Sequence, residues 1–236
     1  MLVQAGGMAL PAACLFDLDG LLLDTEPCHG RAWREAAAHF GACLDEGHLL
    51  QLRGRRRLEN AEQVCAWIAE RGVAPPSIEG LLAVQQPISR GLLPQARAME
   101  GARELLGQCV ERSVPMALVT SSSQVSLALK TDAHPWLKAI QVRIHGDDPA
   151  LMAGKPAPDP FLLAAERLGV APQVCWAFED SPAGARAAAA AGCRVHVLLP
   201  AGLSPQERAR QYPGDWIFLD SLLQVSLGAD PARGGI

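Results

Sequence analysis

The chain alternates short apolar segments with amphipathic helical patterns, and this alternation limits the possible folds more than any other feature. The apolar, strand-like segments are Ala12–Phe16, Pro115–Val119, Val174–Phe178, Cys193–Leu199 and Trp216–Leu219. Between them lie helical patterns with clear boundaries, at Gly101–Glu111, Asp159–Leu168 and Ser181–Ala191, the last two followed by glycine. Strands that alternate with helices predict βαβ units. We therefore expect an α/β fold with a mostly parallel sheet that is covered by helices on both faces.

The stretch between Glu26 and Leu92 differs from the rest because it holds helical patterns but no convincing strand. Helical periodicity runs through Ala32–Phe40 and Leu58–Arg71, whereas the proline-bearing segments Ala74–Ser77 and Pro87–Pro94 are expected to interrupt its second half. We interpret this stretch as a small α-helical domain inserted after the first strand. The expected organisation is an α/β core of residues 8–24 and 93–236, with residues 25–92 as the helical insert.

Charge and composition argue against several classes of function. The 236 residues carry a formal net charge of −4, which gives no reason to expect nucleic acid or an anionic membrane as a partner. The seven cysteines form no CxxC pair, and several lie in apolar segments, which favours a reducing compartment over a zinc site or a disulfide framework. No apolar stretch approaches the roughly 20 residues that span a bilayer, and the N-terminus lacks the pattern of a signal peptide. We expect a cytoplasmic protein, and we expect it to act as a monomer.

Polar residues gather at the ends of successive elements. Three motifs end predicted strands, namely Asp17-Leu18-Asp19, Thr120-Ser121-Ser122-Ser123 and Glu179-Asp180-Ser181, and a fourth, Gly154-Lys155-Pro156, precedes a predicted helix. Each motif alone is a common turn or helix cap. Ligands of open α/β sheets, however, bind beyond the carboxyl ends of the strands, so the order of these motifs favours one shared site. Residues two apart in a strand point to the same side, which means that Asp17 and Asp19 need a compensating positive charge.

This arrangement resembles the haloacid dehalogenase superfamily of phosphohydrolases. The matching motifs are FDLDGLLLDTE (Phe16–Glu26), LVTSSS (Leu118–Ser123), GKPAPDPF (Gly154–Phe161) and FEDSPAG (Phe178–Gly184). They occur in the family's order and cover nearly the whole chain. The helical insert resembles the cap of the subgroup that contains sugar-phosphate phosphatases and β-phosphoglucomutases. The resemblance implies a Rossmann-like core with a helical cap domain.

The resemblance also implies a role for each charged residue. Asp17 would attack phosphorus and form an aspartyl-phosphate. Asp19 would protonate the leaving alcohol and later accept a proton from the hydrolytic water. Thr120 would donate its hydroxyl to the transferring phosphoryl group, and Lys155 would balance the charge of that group and of the nucleophile. The presence of Asp19 favours phosphate esters, because the dehalogenases and phosphonatases of the superfamily lack an aspartate at that position.

A magnesium site and a phosphate cradle are implied as well. Hard oxygen ligands suit Mg²⁺. The expected ligands are the carboxylates of Asp17, Asp180 and Glu179, the last directly or through water, together with the backbone carbonyl of Asp19. Backbone N–H groups near the same place are expected to bind the phosphoryl group; they belong to Leu18, Gly20, Ser121 and Ser122.

Two features of the insert point to the substrate. Left to itself, the basic run Arg53-Gly54-Arg55-Arg56-Arg57 is most often a solvated helix end. The resemblance implies instead a loop from which Arg55 or Arg57 contacts the substrate, and we select Arg57. His29 is followed by Arg31-Ala32-Trp33, at the spacing of a histidine that helps couple substrate binding to acid/base action in β-phosphoglucomutases. A histidine here is also common in the related phosphatases.

These residues favour a Mg²⁺-dependent phosphatase that acts on a small phosphorylated metabolite, a sugar or polyol phosphate. The alternative is a phosphosugar mutase of the β-phosphoglucomutase type. Those mutases use a lysine late in the insert, whereas Gly80–Leu92 contains none. A non-enzymatic binding module on the same fold should have lost one of the four motif residues, and none is lost; these are Asp17, Asp19, Lys155 and Asp180.

Overall fold

A six-stranded parallel sheet forms the framework of the computed structural model, which describes residues 10–52, 57–200 and 202–228. The strands are β1 (Ala13–Phe16), β2 (Leu23–Asp24), β3 (Arg97–Ala98), β4 (Met116–Val119), β5 (Val142–Ile144), β6 (Cys175–Glu179), β7 (Arg194–Leu198) and β8 (Ile217–Leu219). The main sheet has the order β5-β4-β1-β6-β7-β8, and β2 pairs with β3 in a separate two-stranded sheet. The five predicted strand segments all lie in the main sheet. Strand β5 was not predicted, because it has only three residues and Arg143 stands at its centre.

The helices are α1 (Glu26–His39), α2 (Glu46–Leu52), α3 (Arg57–Glu70), α4 (Ile78–Leu92), α5 (Ala102–Glu111), α6 (Gln124–Asp132), α7 (Asp159–Leu168), α8 (Pro182–Ala190) and α9 (Pro205–Gln211). Helices α7 and α8 pack on one face of the sheet, where Phe161 and a row of small alanines meet Leu15 and Val119. Side chains alternate along β1, so Cys14 points to the opposite face, where it contacts Cys109 of α5. The predicted α/β class, with helices on both faces, is confirmed. No helix among the described residues has the length and apolar character needed to cross a membrane.

Strand β1 lies between β4 and β6, and this position assembles the site. Phe16 pairs with Leu118 of β4 and with Phe178 of β6, so the three strands end side by side. Strands β4 and β5 lie on one side of β1, and the chain then crosses to the other side, where β6, β7 and β8 lie. Such a reversal of strand order opens a crevice at the carboxyl ends of the central strands.

The chain folds into two compact units. One consists of the described residues up to Asp24 together with those from Ala98 onward, and the other is Thr25–Arg97. The second unit contains α1 to α4 and has its own core, in which Trp33 and Ala36 of α1 lie in one cluster with Ile68 of α3 and Leu81 of α4. The chain enters this helical unit directly after β2 and returns to the sheet unit after Arg97.

The expectation that Pro87 interrupts the insert is wrong, because Pro87 lies inside α4. A proline in a helix removes the N–H that would bond to the carbonyl four residues earlier, here that of Ala83. Both residues are exposed, so water can satisfy this carbonyl. The buried face of α4, which includes Leu81 and Leu82, continues undisturbed on the other side of the helix.

Candidate active site

The two aspartates that follow β1 have different partners in the structure. The chain leaves the strand at Phe16, and the backbone N–H of Asp17 still donates to the Phe178 carbonyl at 3.0 Å. The Asp17 side chain is buried and accepts a hydrogen bond from Lys155 Nζ at 2.5 Å. Asp19 is instead paired with Lys130, with 2.6 Å between Nζ and Oδ2. Each of the two aspartates therefore pairs with a different lysine.

Lys155 connects three strand ends. Its Nζ donates to Asp17 Oδ1 and Glu179 Oε1, each at 2.5 Å, and to the Val119 carbonyl at 2.8 Å. Burial alone would lower the pKa of Lys155, but the adjacent carboxylates Asp17 and Glu179 outweigh burial, and its pKa lies above the ordinary value. The lysine therefore remains a fixed positive charge at neutral pH.

Burial also shifts the carboxyl groups. It raises the pKa of Glu179 to about 7, although Lys155 acts in the opposite direction. The pKa of Asp17 is likewise raised by burial, and the charge of Asp19 adds to the effect, against the pull of Lys155. Both groups would ionise more readily if another positive charge were added to the site.

A possible cation site lies beside this pair. Ligand oxygens of Asp17, Glu179 and Asp180 all lie within 4.8 Å of one another. Two glycines leave space for them, since a Cβ at Gly20 would collide with the Asp180 carboxylate and a Cβ at Gly184 would collide with the Glu179 carboxylate. Clustered carboxylate oxygens are the donors that hard divalent cations prefer. The residues present therefore fit a Mg²⁺ ion.

The threonine and serines after β4 lead into α6. Ser123 is the N-cap of this helix, and its hydroxyl accepts from the N–H of Ser126 at 3.4 Å. Thr120 is buried, and its Oγ1 lies 3.4 Å from Asp19 Oδ2 and accepts from the N–H of Ser122 at 3.1 Å. Ser121 is exposed at the same turn. Thr120 and Ser122 are thus brought to Asp19.

The turn after Asp19 involves the predicted backbone donors. Gly20 has a φ of +82°, a backbone conformation that favours glycine, and its N–H donates to the Leu23 carbonyl at 2.8 Å. Leu18 is fully buried, and its carbonyl accepts from the N–H groups of Leu22 and Leu23. In this structure the N–H groups of Gly20 and Ser122 donate within the protein and form the two turns that carry Asp19 and Thr120. That the N–H groups of this region bind the phosphoryl group stays a prediction.

Two residues of the site were missed by the sequence analysis. Lys130 lies on α6 three residues after Leu127, at a position of the helix that faces the interior. That spacing is the signal that could have identified it, because a lysine in line with a core leucine is not on the solvent face. The second is Tyr212, whose hydroxyl donates to the Asp180 carbonyl at 2.6 Å. No sequence motif connects Tyr212 with that strand end.

The predicted substrate residues of the insert belong to the second unit. His29 is half-buried in the first turn of α1, and its N–H donates to the Thr25 carbonyl at 3.0 Å. Arg57 is exposed and begins α3. The alternative residue, Arg55, lies outside the described residues. The roles of His29 and Arg57 remain predictions.

Comparisons with known proteins identify the family of the chain. The family model of haloacid dehalogenase-like hydrolases matches residues 11–192. (DL)-glycerol-3-phosphatase 2 of Arabidopsis thaliana is 34% identical over 191 residues, which cover 79% of this chain and 78% of that protein. Hexitol phosphatase A of Escherichia coli (strain K12) is 33% identical over 217 residues, which cover 92% of this chain and 94% of that protein.

A similar solved structure is a HAD family hydrolase from Deinococcus radiodurans R1 with bound phosphate and sodium, with a TM-score of 0.73 at 29% identity. The match covers 92% of this chain and 94% of that one. The family model spans all four motifs and the whole helical insert. The resemblance that the motifs indicated is thus confirmed, and the chain belongs to the haloacid dehalogenase-like hydrolase family.

Proposed function

We propose that the protein is a Mg²⁺-dependent phosphatase that hydrolyses a small sugar or polyol phosphate through an aspartyl-phosphate on Asp17. The observation that carries the proposal is the buried Asp17 carboxylate, held by Lys155 at the end of the central strand. Asp19 lies two residues away with its own lysine partner. Polyol phosphates are favoured because the names of two similar proteins specify glycerol 3-phosphate and hexitol phosphate hydrolysis.

The reaction would proceed in two steps. In the first, a carboxylate oxygen of Asp17 forms a bond to phosphorus while the bond from phosphorus to the ester oxygen breaks, and a proton passes from Asp19 to the departing oxygen. In the second, a water oxygen bonds to phosphorus, its proton passes to Asp19, and the bond between phosphorus and Asp17 breaks to release phosphate. The Thr120 hydroxyl and the Lys155 ammonium would stabilise the negative charge on the phosphoryl oxygens in both steps.

Asp17, Asp180 and Glu179 would hold the metal, with the carbonyl of Asp19 as a further ligand. The charges support a divalent cation, because the buried carboxyl groups of Asp17 and Glu179 share the ammonium group of Lys155, and a carboxylate oxygen of Asp180 lies within 4.8 Å of theirs. When bound, Mg²⁺ would reduce the repulsion between the anionic nucleophile and the phosphate ester. In the second unit, we propose that His29 and Arg57 contact the substrate.

A screen of phosphate release tests the proposal. The purified protein is assayed with sugar, polyol, nucleotide and glycolate phosphates, with and without Mg²⁺. We expect release from at least one sugar or polyol phosphate, loss of release in EDTA, and recovery when Mg²⁺ is added back. Asp17→Asn should abolish turnover while the protein stays folded by circular dichroism, because the amide oxygen is a poor nucleophile.

The screen also separates the alternatives. Release from no phosphate ester would overturn the proposal. Conversion of β-glucose 1-phosphate to the 6-phosphate in the presence of a bisphosphate primer, with only slow net hydrolysis, would replace it with the mutase. Undiminished turnover by Asp17→Asn would show that phosphate esters are hydrolysed without Asp17 as the nucleophile.

A further inference from the structure

Lys130 is a fully buried lysine that no motif of the family accounts for. It lies on α6, and its side chain has no exposed surface, whereas the side chain of its partner Asp19 is 26% exposed. Burial of an ammonium group costs free energy unless it is paired and hydrogen-bonded. An apolar side chain, such as that of Leu127 one turn earlier, would fill an interior position of this helix without that cost. The lysine at this position therefore calls for an explanation beyond packing.

Lys130 hydrogen-bonds to one carboxylate and to the hydroxyl group beside it. Its Nζ donates to Asp19 Oδ1 at 2.7 Å, to Asp19 Oδ2 at 2.6 Å and to Ser122 Oγ at 2.8 Å. The Ser122 hydroxyl donates in turn to Asp19 Oδ2 at 2.9 Å. With the Thr120 hydroxyl 3.4 Å from the same oxygen, these side chains form a clamp around Asp19.

The clamp fixes the direction of the Asp19 carboxylate. A single hydrogen bond leaves a carboxyl group able to rotate, whereas donors on both oxygens define its plane. Lys130 itself is buried in the packing of α6, so the position of this helix determines where the ammonium group holds the carboxylate.

We infer that Lys130 is a positioning residue that acts through Asp19, holding this carboxyl group where it exchanges a proton with the leaving oxygen. The inference rests on the proposed function, and it requires Lys130 neither to touch the substrate nor to change its charge. If Asp19 loses its orientation, hydrolysis should slow for esters whose leaving group must receive a proton. Esters with a stable anionic leaving group should be affected little.

The test compares phenyl phosphate with 4-nitrophenyl phosphate, whose departing nitrophenolate is a much weaker base. In Lys130→Met, we expect kcat/KM for phenyl phosphate to fall about 10- to 100-fold, since a displacement of about 1 Å of a reacting group can cost about 10²-fold. For 4-nitrophenyl phosphate, the loss should stay within about threefold, as this ester draws little on the acid catalysis that Asp19 supplies. Lys138→Met is the matched control because this lysine is exposed, and it should leave both values unchanged.

A double-mutant cycle tests whether the effect passes through Asp19. In the Asp19→Asn background, Lys130→Met should cause no further selective loss with phenyl phosphate. If Lys130→Met does not fold, Lys130→Gln takes its place, because its shorter neutral side chain cannot reach both carboxylate oxygens and should give the same selective loss.

The outcomes separate this inference from the proposed function. An equal loss with both esters would show a general disturbance of the site and would overturn the positioning role, as would no loss with either. A full additional loss in the Asp19→Asn background would overturn it too. If the wild-type protein hydrolyses neither ester nor any other phosphate ester, the proposed function is wrong, and this inference, which rests on it, is wrong as well.

Discussion

Gly184→Ala should destabilise the protein, although alanine is the better helix former. Gly184 lies inside α8, where the gain in helix propensity is about 1 kcal/mol. A Cβ at this position, however, would occupy the space of the Glu179 carboxylate. Either α8 or Glu179 must then move, and Glu179 would lose its 2.5 Å hydrogen bond from Lys155.

The magnitude follows from these terms. Forcing an additional methyl group into a packed interior costs about 1–3 kcal/mol. A lost hydrogen bond between charged groups costs about 1.5–3 kcal/mol. After subtraction of the propensity gain, the free energy of unfolding should fall by about 1.5–5 kcal/mol. At about 2–4 °C per kcal/mol for a chain of this size, the Tm should fall by roughly 3–20 °C.

Gly107→Ala is the matched control. Gly107 also lies inside a helix, α5, but a Cβ there would meet no atom within 4 Å. This substitution should raise the free energy of unfolding by about 0.5–1 kcal/mol. Both variants are compared with the wild type by urea unfolding in EDTA and by phosphate release at increasing Mg²⁺ concentrations, where only Gly184→Ala should require more Mg²⁺. If the two variants are equally stable, the reasoning about the Glu179 pocket is refuted.

The remaining predictions concern the charges at the strand ends. Lys155→Met should lower stability by about 3–5 kcal/mol at pH 8, because it leaves two buried carboxylates without their partner. The pKa values of Asp17 and Glu179 already lie above their ordinary values, and that of Glu179 is about 7. Both pKa values should rise further in this variant. The folded state then binds more protons than the unfolded chain. The loss in free energy of unfolding relative to the wild type should therefore shrink toward pH 5. Urea unfolding in EDTA at several pH values measures it, and a loss that does not change with pH would contradict the prediction. Tyr212→Phe removes the hydrogen bond to the Asp180 carbonyl while the fold is retained. The Mg²⁺ concentration for half-maximal phosphate release should rise about 10-fold. An unchanged Mg²⁺ dependence would show that Tyr212 does not orient Asp180.

The sequence predicted those parts of the fold and site that depend on local patterns. Apolar segments such as Cys175–Glu179 are buried on both faces, and their composition reveals them. The strand ends follow from parallel topology, which is why Asp17 and Lys155 were expected near each other although they lie far apart in the chain. The interruption at Pro87 was wrong because the pattern does not show that this residue faces solvent.

The contacts that were missed depend on tertiary packing. A lone lysine such as Lys130 is typical of a helix surface, and only its register with Leu127 indicates burial. Tyr212 follows a short polar helix, and it reaches Asp180 because β7 and β8 bring that segment beside β6. Neither connection leaves a signature in a local window of sequence.

The two lysines explain how adjacent aspartates could serve different purposes. Lys155 is shared between Asp17 and Glu179 and lies among the residues that could hold a cation, so its charge favours the anionic form of Asp17, the proposed nucleophile. Lys130 contacts Asp19 and Ser122 from the side of α6, so its charge orients a second carboxyl group. With one lysine serving both, movement of one carboxylate would disturb the other. Separate partners on separate elements allow the proposed nucleophile and the proposed acid/base to be positioned independently, although they lie only two residues apart in the chain.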